Sequence, residues 1–206
     1  MNGYRIIKDI EQGSDEWLNL RLGMITASKF KDVIAGGGGK TRKTYMYQLA
    51  AESITGENAD SFTNDYMQWG TETEPQARAM YELDTASTVE SVAFITMDGR
   101  KIGVSPDGLI GDNKGIEIKC PKTSTQIETY LSGKMPTIHK AQVQGSMWVT
   151  GFETWDFVSF DPRINGKASY FKTTIERDES YINELAEKCF KFEQELDEMI
   201  DQLING

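Results

Sequence analysis

Two short stretches, Ser105-Pro106-Asp107-Gly108 and Glu117-Ile118-Lys119, limit this chain more than any others, because a turn and two apolar runs join them. Residues 103–110 are expected as a strand, Gly111-Asp112-Asn113-Lys114-Gly115 as a turn, and residues 116–120 as the returning strand. Side chains alternate faces along a strand, so Glu117 and Lys119 share one face while Ile116 and Ile118 enter the core. Pairing across the turn brings Asp107 beside them. Two carboxylates with no histidine nearby are hard oxygen ligands, suited to Mg²⁺ or Mn²⁺ rather than Zn²⁺. The adjacent lysine can orient an attacking water or take a proton from it. That is the chemistry of phosphodiester hydrolysis, although a Pro-Asp-Gly turn and an alternating Glu-x-Lys also occur as ordinary solvated features.

Around this hairpin the order of elements is helices, then strands, then helices. Ser14 caps a short helix to about residue 22, and a second begins near 26 or 28 and ends at the four glycines 36–39. Helices follow over about 41–55, closed by Gly56, and 64–83, interrupted near Gly70 and Pro75. Strands are expected over about 88–97, 154–160 and 168–175, and helices over 123–131 and 137–150. In a terminal helix of about 177–204, Ile182, Leu185, Cys189, Phe192, Leu196, Met199 and Leu203 recur at spacings of three and four, an amphipathic seam. The fold class is therefore α/β (α+β), a central mixed sheet flanked by helices. At 206 residues the chain is most economically one domain, with a core of about 10–175.

Charge and composition exclude several functions. No run of 18 apolar residues and no basic-plus-apolar leader is present, so neither a membrane span nor a signal peptide is expected. Cys120 and Cys189 are too few for a disulfide framework or a zinc site and read as free buried thiols in a reducing cytoplasm. His139 is the one histidine, with no nucleophile elbow beside it, which favours a structural role. Gly39-Lys40-Thr41 ends a glycine run, but Ile34 stands where a Walker loop needs glycine. The net charge of −10 is unevenly placed: residues 176–206 carry −7, whereas residues 21–43 carry +5. Lys40, Arg42 and Lys43, behind the glycine loop at a helix start, are candidate DNA-backbone contacts.

The ordered blocks Glu11-Gln-Gly-Ser-Asp-Glu-Trp17, Leu20-Arg-Leu-Gly-Met-Ile-Thr-Ala-Ser28, Trp69-Gly-x-x-x-Glu74, Ser105-Pro-Asp-Gly108, Glu117-Ile-Lys-Cys-Pro121 and Ala141-Gln-Val-Gln-x-Ser-Met-Trp-Val-Thr150 carry a resemblance. Over about residues 10–180 the chain resembles the YqaJ-type viral recombinase nucleases, the family of phage lambda exonuclease, within the wider PD-(D/E)XK nuclease fold. The resemblance implies that Asp107, Glu117 and the main-chain carbonyl of Ile118 hold metal, and that Lys119 serves the attacking water. Glu74, by pattern alone an ordinary helix glutamate, would complete a second metal site or position water. Arg21, Ser28, Ser105 and Gln142 resemble the residues that line the active site and bind a 5′-terminal phosphate.

By this resemblance the chain is a Mg²⁺-dependent, processive 5′→3′ exonuclease on linear double-stranded DNA ends, releasing mononucleotides and leaving 3′ single strands for recombination by annealing. Two Mg²⁺ per site, replaceable by Mn²⁺, a ring-shaped homotrimer, a single-strand annealing recombinase as partner, and the cytoplasm of a phage- or prophage-bearing host are implied with it. The alternatives are an endonuclease of the same fold, for restriction or junction cleavage, and a non-catalytic DNA-end-binding module.

Overall fold

The computed structural model describes residues 3–35, 39–58 and 65–206, and for residues 65–67 the backbone alone. Most of the four-glycine loop therefore lies outside the described residues. Strands β1 (Tyr4–Ile7), β2 (Ile25–Thr26), β3 (Phe94–Met97) and β4 (Ile102–Val104) form one four-stranded mixed sheet in the order β1-β3-β4-β2. Strands β5 (Gly108–Ile110), β6 (Lys114–Lys119), β7 (Thr154–Phe160) and β8 (Tyr170–Glu176) form a second, in that order. Within it β6 runs parallel to β7 and antiparallel to β5.

The strand expected over 103–110 is thus two strands in two sheets. Pro106 is the physical reason: it has no N–H to give to a ladder. Gln12 takes over the exposed acceptors, its Nε2 donating to Val92 O at 2.8 Å and to Pro106 O at 2.9 Å. The strand expected over 88–97 breaks at the same place. Glu90 forms an isolated bridge with Leu109 of the second sheet, and β3 begins only at Phe94. The two sheets therefore meet along a seam made of residues 91–93 and 105–107.

Among the described residues seven α-helices flank the sheets. They are α1 (Asp15–Leu20), α2 (Phe30–Val33), α3 (Lys40–Thr55), α4 (Asp65–Thr85), α5 (Thr123–Ser132), α6 (Lys140–Thr150) and α7 (Glu179–Asn205). Ser14 caps α1 by accepting from Trp17 N, and Gly56 closes α3 with a left-handed φ of 69°, as expected. Three expectations are corrected. The helix from 26 or 28 to the glycines is a 3₁₀ turn followed by the one-turn α2, and a 3₁₀ turn, Thr137–His139, precedes α6. The helix α4 continues through Pro75. Loss of one backbone donor costs about 3 kcal/mol, and burial of Thr73, Ala77 and Tyr81 offsets it. Strands β1 and β2 had no signal in the alternation of the sequence.

One hydrophobic core joins the first sheet to α2, α3, α6 and α7 through Ile25, Phe30, Leu49, Ile95, Ile102, Val143, Met147, Leu185 and Phe192. A second lies between α4 and the second sheet, built from Ala77, Tyr81, Ile116, Ile118, Val158 and Phe160. The acidic α7 is not merely a solvated face. Glu193 accepts from Lys101 N at 2.6 Å and pairs with Arg100 at 3.1 Å, and Glu195 pairs with Arg42 at 2.7 Å. Among the described residues no helix is long and apolar enough to cross a membrane.

Candidate active site

The site grows from the seam. Leaving the first sheet, the chain turns at Pro106 and presents Asp107 toward β6, where Ile118 N donates to Asp107 Oδ2 at 2.5 Å. Alternation along β6 then sends Glu117 and Lys119 to one face and Ile116 and Ile118 into the second core, as expected. Glu117 is fully buried and Lys119 ion-pairs with it, its side chain still one-third exposed. Both Glu117 oxygens are buried without a hydrogen bond of normal geometry. Gly115 sets the depth of β6, since a Cβ there would lie 2.3 Å from the Trp155 indole.

Glu74 reaches the same place from α4. Two turns further along that helix, Tyr81 Oη donates to the buried Asp156 Oδ2 of β7 at 2.6 Å, which fixes the helix against the second sheet. One turn along, Arg78 does something the sequence did not signal. It donates to the main-chain oxygen of Asp107 and, at 2.9 Å, to Ser91 Oγ, so it spans both breaks in the seam. It also pairs with Glu74 at 3.6 Å. An arginine on a helix has no such meaning until the seam beneath it is known.

The carboxylates are electrostatically frustrated. Burial, then repulsion from Asp107, raises the Glu74 pKa to about 7 against the pull of Arg78. Burial raises Glu117 to about 8, opposed by Lys119 and reinforced by Asp107. Burial likewise raises Asp107, opposed by Lys119, the Ile118 amide and Arg78. Lys119 is held protonated: burial pulls its pKa down, but Glu117, Asp107 and Glu74 more than reverse that.

Three converging carboxylates, with Glu117 Oε2 buried without a donor and Glu117 Oε1 met by the Lys119 ammonium, are a donor set that fits a hard divalent cation. Among the described residues no group of three or more His, Cys, Asp and Glu side chains already stands at ligand spacing. The Lys119 ammonium supplies the counter-charge to Glu117 instead.

Beside Lys119 lies a space of about 190 Å³ lined also by Ser28, Lys31, His139 and Gln142. It adjoins a slot of about 160 Å³ lined by Arg21, Ser28, Ser105 and Gln142 together with Gln12, Trp17 and Thr26. The structure therefore brings together all four residues expected at a terminal phosphate. Trp17 Nε1 bonds Ala93 O at 2.9 Å and Ser105 Oγ at 3.1 Å, while the Arg21 guanidinium lies 3.9 Å from the Trp17 ring centre. Thr26 and Ser28 hydroxyls are 3.3 Å apart.

Other expectations fall elsewhere. Lys40 and Lys43 are exposed on α3 and line none of these spaces, and Arg42 is turned onto Glu195 and the Phe192 ring. Both cysteines are free, but only Cys189 is buried; Cys120 is partly exposed. His139 stacks on Phe157 with ring centres 5.4 Å apart, and it also walls the space beside Lys119.

Comparison with known proteins fits this fold. The chain superposes with a TM-score of 0.87 on the alkaline exonuclease LHK-Exo of Laribacter hongkongensis, at 41% identity over 92% of this chain and 96% of that one. The structure of that exonuclease in complex with dAMP matches equally well. Such homology marks the protein as a nuclease of the lambda exonuclease fold. More specifically, the chain belongs to the YqaJ-like viral recombinase domain family, whose model matches residues 16–153. The ExoD protein of Escherichia coli strain K12 is 35% identical over 65 residues, 32% of this chain and 74% of that protein. A phage-related exonuclease from Haemophilus somnus 129PT shares the fold, with a TM-score of 0.64 at 19% identity over 90% of this chain and 99% of that one.

Proposed function

We propose that the protein is a Mg²⁺-dependent 5′→3′ exonuclease that acts processively on linear double-stranded DNA ends. It releases 5′-mononucleotides and leaves 3′ single strands for recombination by annealing. One observation carries this reading: the acid-lysine centre of Asp107, Glu117 and Lys119 opens through the wall of Ser28 and Gln142 into a slot that also holds Arg21 and Ser105. A centre that cuts phosphodiesters thus stands one small space away from a slot built for a phosphate. Homology to an exonuclease whose complex with dAMP is known supports mononucleotide release.

The side chains divide the work. Arg21 offers paired N–H donors to a phosphate, and Ser28, Ser105 and Gln142 offer neutral ones, so a 5′-phosphorylated end is held and oriented. Holding that end places the next phosphodiester beside Lys119. Lys119, held protonated, donates to the attacking water and fixes its line of approach. Asp107, Glu117, the Ile118 carbonyl and Glu74 are the groups that would hold two Mg²⁺, or Mn²⁺ in its place. When bound, the cations supply charge stabilisation for the attacking and leaving oxygens of an in-line displacement. Arg78 and the Ile118 amide keep the Asp107 loop from moving as that charge develops.

A homotrimeric ring threaded by the duplex accounts for processivity by topology, and so without a strongly basic chain. The implied partner is a single-strand annealing recombinase, and the implied setting is the host cytoplasm. The test compares a linear 5′-phosphorylated duplex with a closed circular one, each with Mg²⁺ or EDTA. Mononucleotide release from the linear substrate alone, abolished by EDTA, is expected. Cutting of the circle would instead support the endonuclease of the same fold, and end binding without release would support a non-catalytic module. A native mass measurement checks the trimer.

A further inference from the structure

Beyond the phosphate slot lies a third and larger space, of about 470 Å³. Trp17, Arg21, Thr26 and Ser28 form its boundary with the slot, because they line both. Its apolar walls include Trp17, Met24 and Leu49, and its polar groups include Lys29, Gln48, Glu52 and Asn58. Glu52 is buried and held in place, accepting from Gly23 N and from Gln48 Nε2, each at 3.1 Å. The volume and the mixture of apolar wall with a few anchored polar groups suit an organic ligand of nucleoside size. A 5′-phosphorylated end stops in the slot, so the chamber takes no part in holding it.

Ser28 lines all three spaces; the slot further shares Gln142 with the space beside Lys119, and Trp17, Arg21 and Thr26 with the chamber, so the slot is bordered by both. We infer that the chamber seats the terminal nucleoside of a 5′-hydroxyl DNA end, shifting the strand by one nucleotide so that its first internucleotide phosphate fills the slot. The inference rests on the exonuclease reading. An end without a terminal phosphate cannot satisfy Arg21, Ser28, Ser105 and Gln142 in the usual register. Advancing by one nucleotide restores a phosphate to them and places a base against the apolar walls, where Trp17 is among the lining residues.

The consequence is a distinct first product. Water adds its oxygen to the phosphorus of the second internucleotide linkage, the bond from that phosphorus to O3′ breaks, and O3′ leaves carrying a proton. A dinucleoside monophosphate with free 5′ and 3′ hydroxyls is released, and the strand keeps a new 5′ phosphate. Every later cut then yields mononucleotides.

The experiment digests a linear duplex with 5′-hydroxyl ends and its 5′-phosphorylated counterpart, both with MgCl₂, and identifies the first products by mass spectrometry. A dinucleoside monophosphate from the hydroxyl end and a mononucleotide from the phosphorylated end are expected. A free nucleoside from the hydroxyl end, or no cutting of it, would overturn the inference and leave the exonuclease reading intact. Failure of the phosphorylated control to yield mononucleotides would overturn both. Gln48→Trp, which places an indole in the chamber, should shift the ratio of the two rates at least tenfold against the hydroxyl end; an unchanged ratio would also overturn the inference.

Discussion

Ile118 N donates to Asp107 Oδ2 at 2.5 Å, which ties the loop leaving one sheet to the second strand of the other, β6, through a single carboxylate. The bond orients Asp107 beside Glu117 and Lys119, and it does so from the backbone, where only proline at position 118 would remove the donor. The site is therefore fixed at the junction of two sheets, with its acids held in place by elements from both.

Removing the ammonium should separate chemistry from binding. Lys119→Ala is expected to lower hydrolysis at least about 10²-fold, the usual scale for a positioned proton-handling or water-orienting group, while end binding by gel shift stays measurable. Full activity in this variant would remove Lys119 from the mechanism.

Arg78 stitches the seam, and its loss should be felt in more than activity. Arg78→Ala leaves the Asp107 carbonyl and Ser91 hydroxyl without their donor. A destabilisation of about 1–3 kcal/mol is expected on chemical denaturation, together with weaker Mg²⁺ binding by calorimetry. Arg78→Lys should recover part of the stability but not the two-point contact.

Protons and cations should compete for the acidic centre. Glu74 and Glu117, raised to about 7 and about 8, hold protons in the metal-free protein that must leave before a cation binds. Mg²⁺ affinity is expected to rise with pH up to about 8, with proton release measurable by calorimetry in buffers of different ionisation heat. In the absence of Mg²⁺ the sign for stability is the reverse. A raised carboxyl pKa contributes stability below the unfolded value near 4.5, and that stability is lost as pH climbs through 7 and 8. Glu117→Gln should flatten this loss, and a metal-free protein equally stable at pH 5 and pH 8 would contradict it.

His139 predicts the opposite slope on the acid side. Burial, aided by Lys119 and Lys31, lowers its pKa from 6.5 to about 4. The stability it contributes is complete above pH 6.5 and is lost as pH falls toward 4, with an upper bound of about 3 kcal/mol by linkage. His139→Gln should reduce the fall in melting temperature between pH 6.5 and 4.5; an unaltered fall would show that other groups govern it.

Some of this was legible in the chain itself and some was not. Alternation at Ile116, Glu117, Ile118 and Lys119 marked which side chains go in and which face the site, because a strand offers only two faces. Asp107 was recognisable as a partner once the hairpin was drawn. Glu74 and Gln142 carried no signal of their own, since both sit on helices among many polar residues, and only ordered motifs shared with a known family picked them out. Arg78 carried none at all. Its meaning depends on Ser91 and Asp107 lying at coincident breaks in two strands, and neither break was expected. Arg42 shows the converse: a basic run beside a glycine loop suggested DNA, but Glu195, 153 residues later, had claimed the guanidinium.

What the sequence determined alone is local: the strand period, the Ser14 cap, the Gly56 stop, the amphipathic seam of α7 and the acid-lysine pattern of β6. Each depends on residues a few positions apart, whose preferences survive in any fold. The tertiary structure decided the rest: that Pro106 divides the sheet, that Arg78 bridges the division, and that Arg21, Ser28, Ser105 and Gln142 line one slot. Those facts depend on which distant groups meet when buried, and burial is a property of the whole chain.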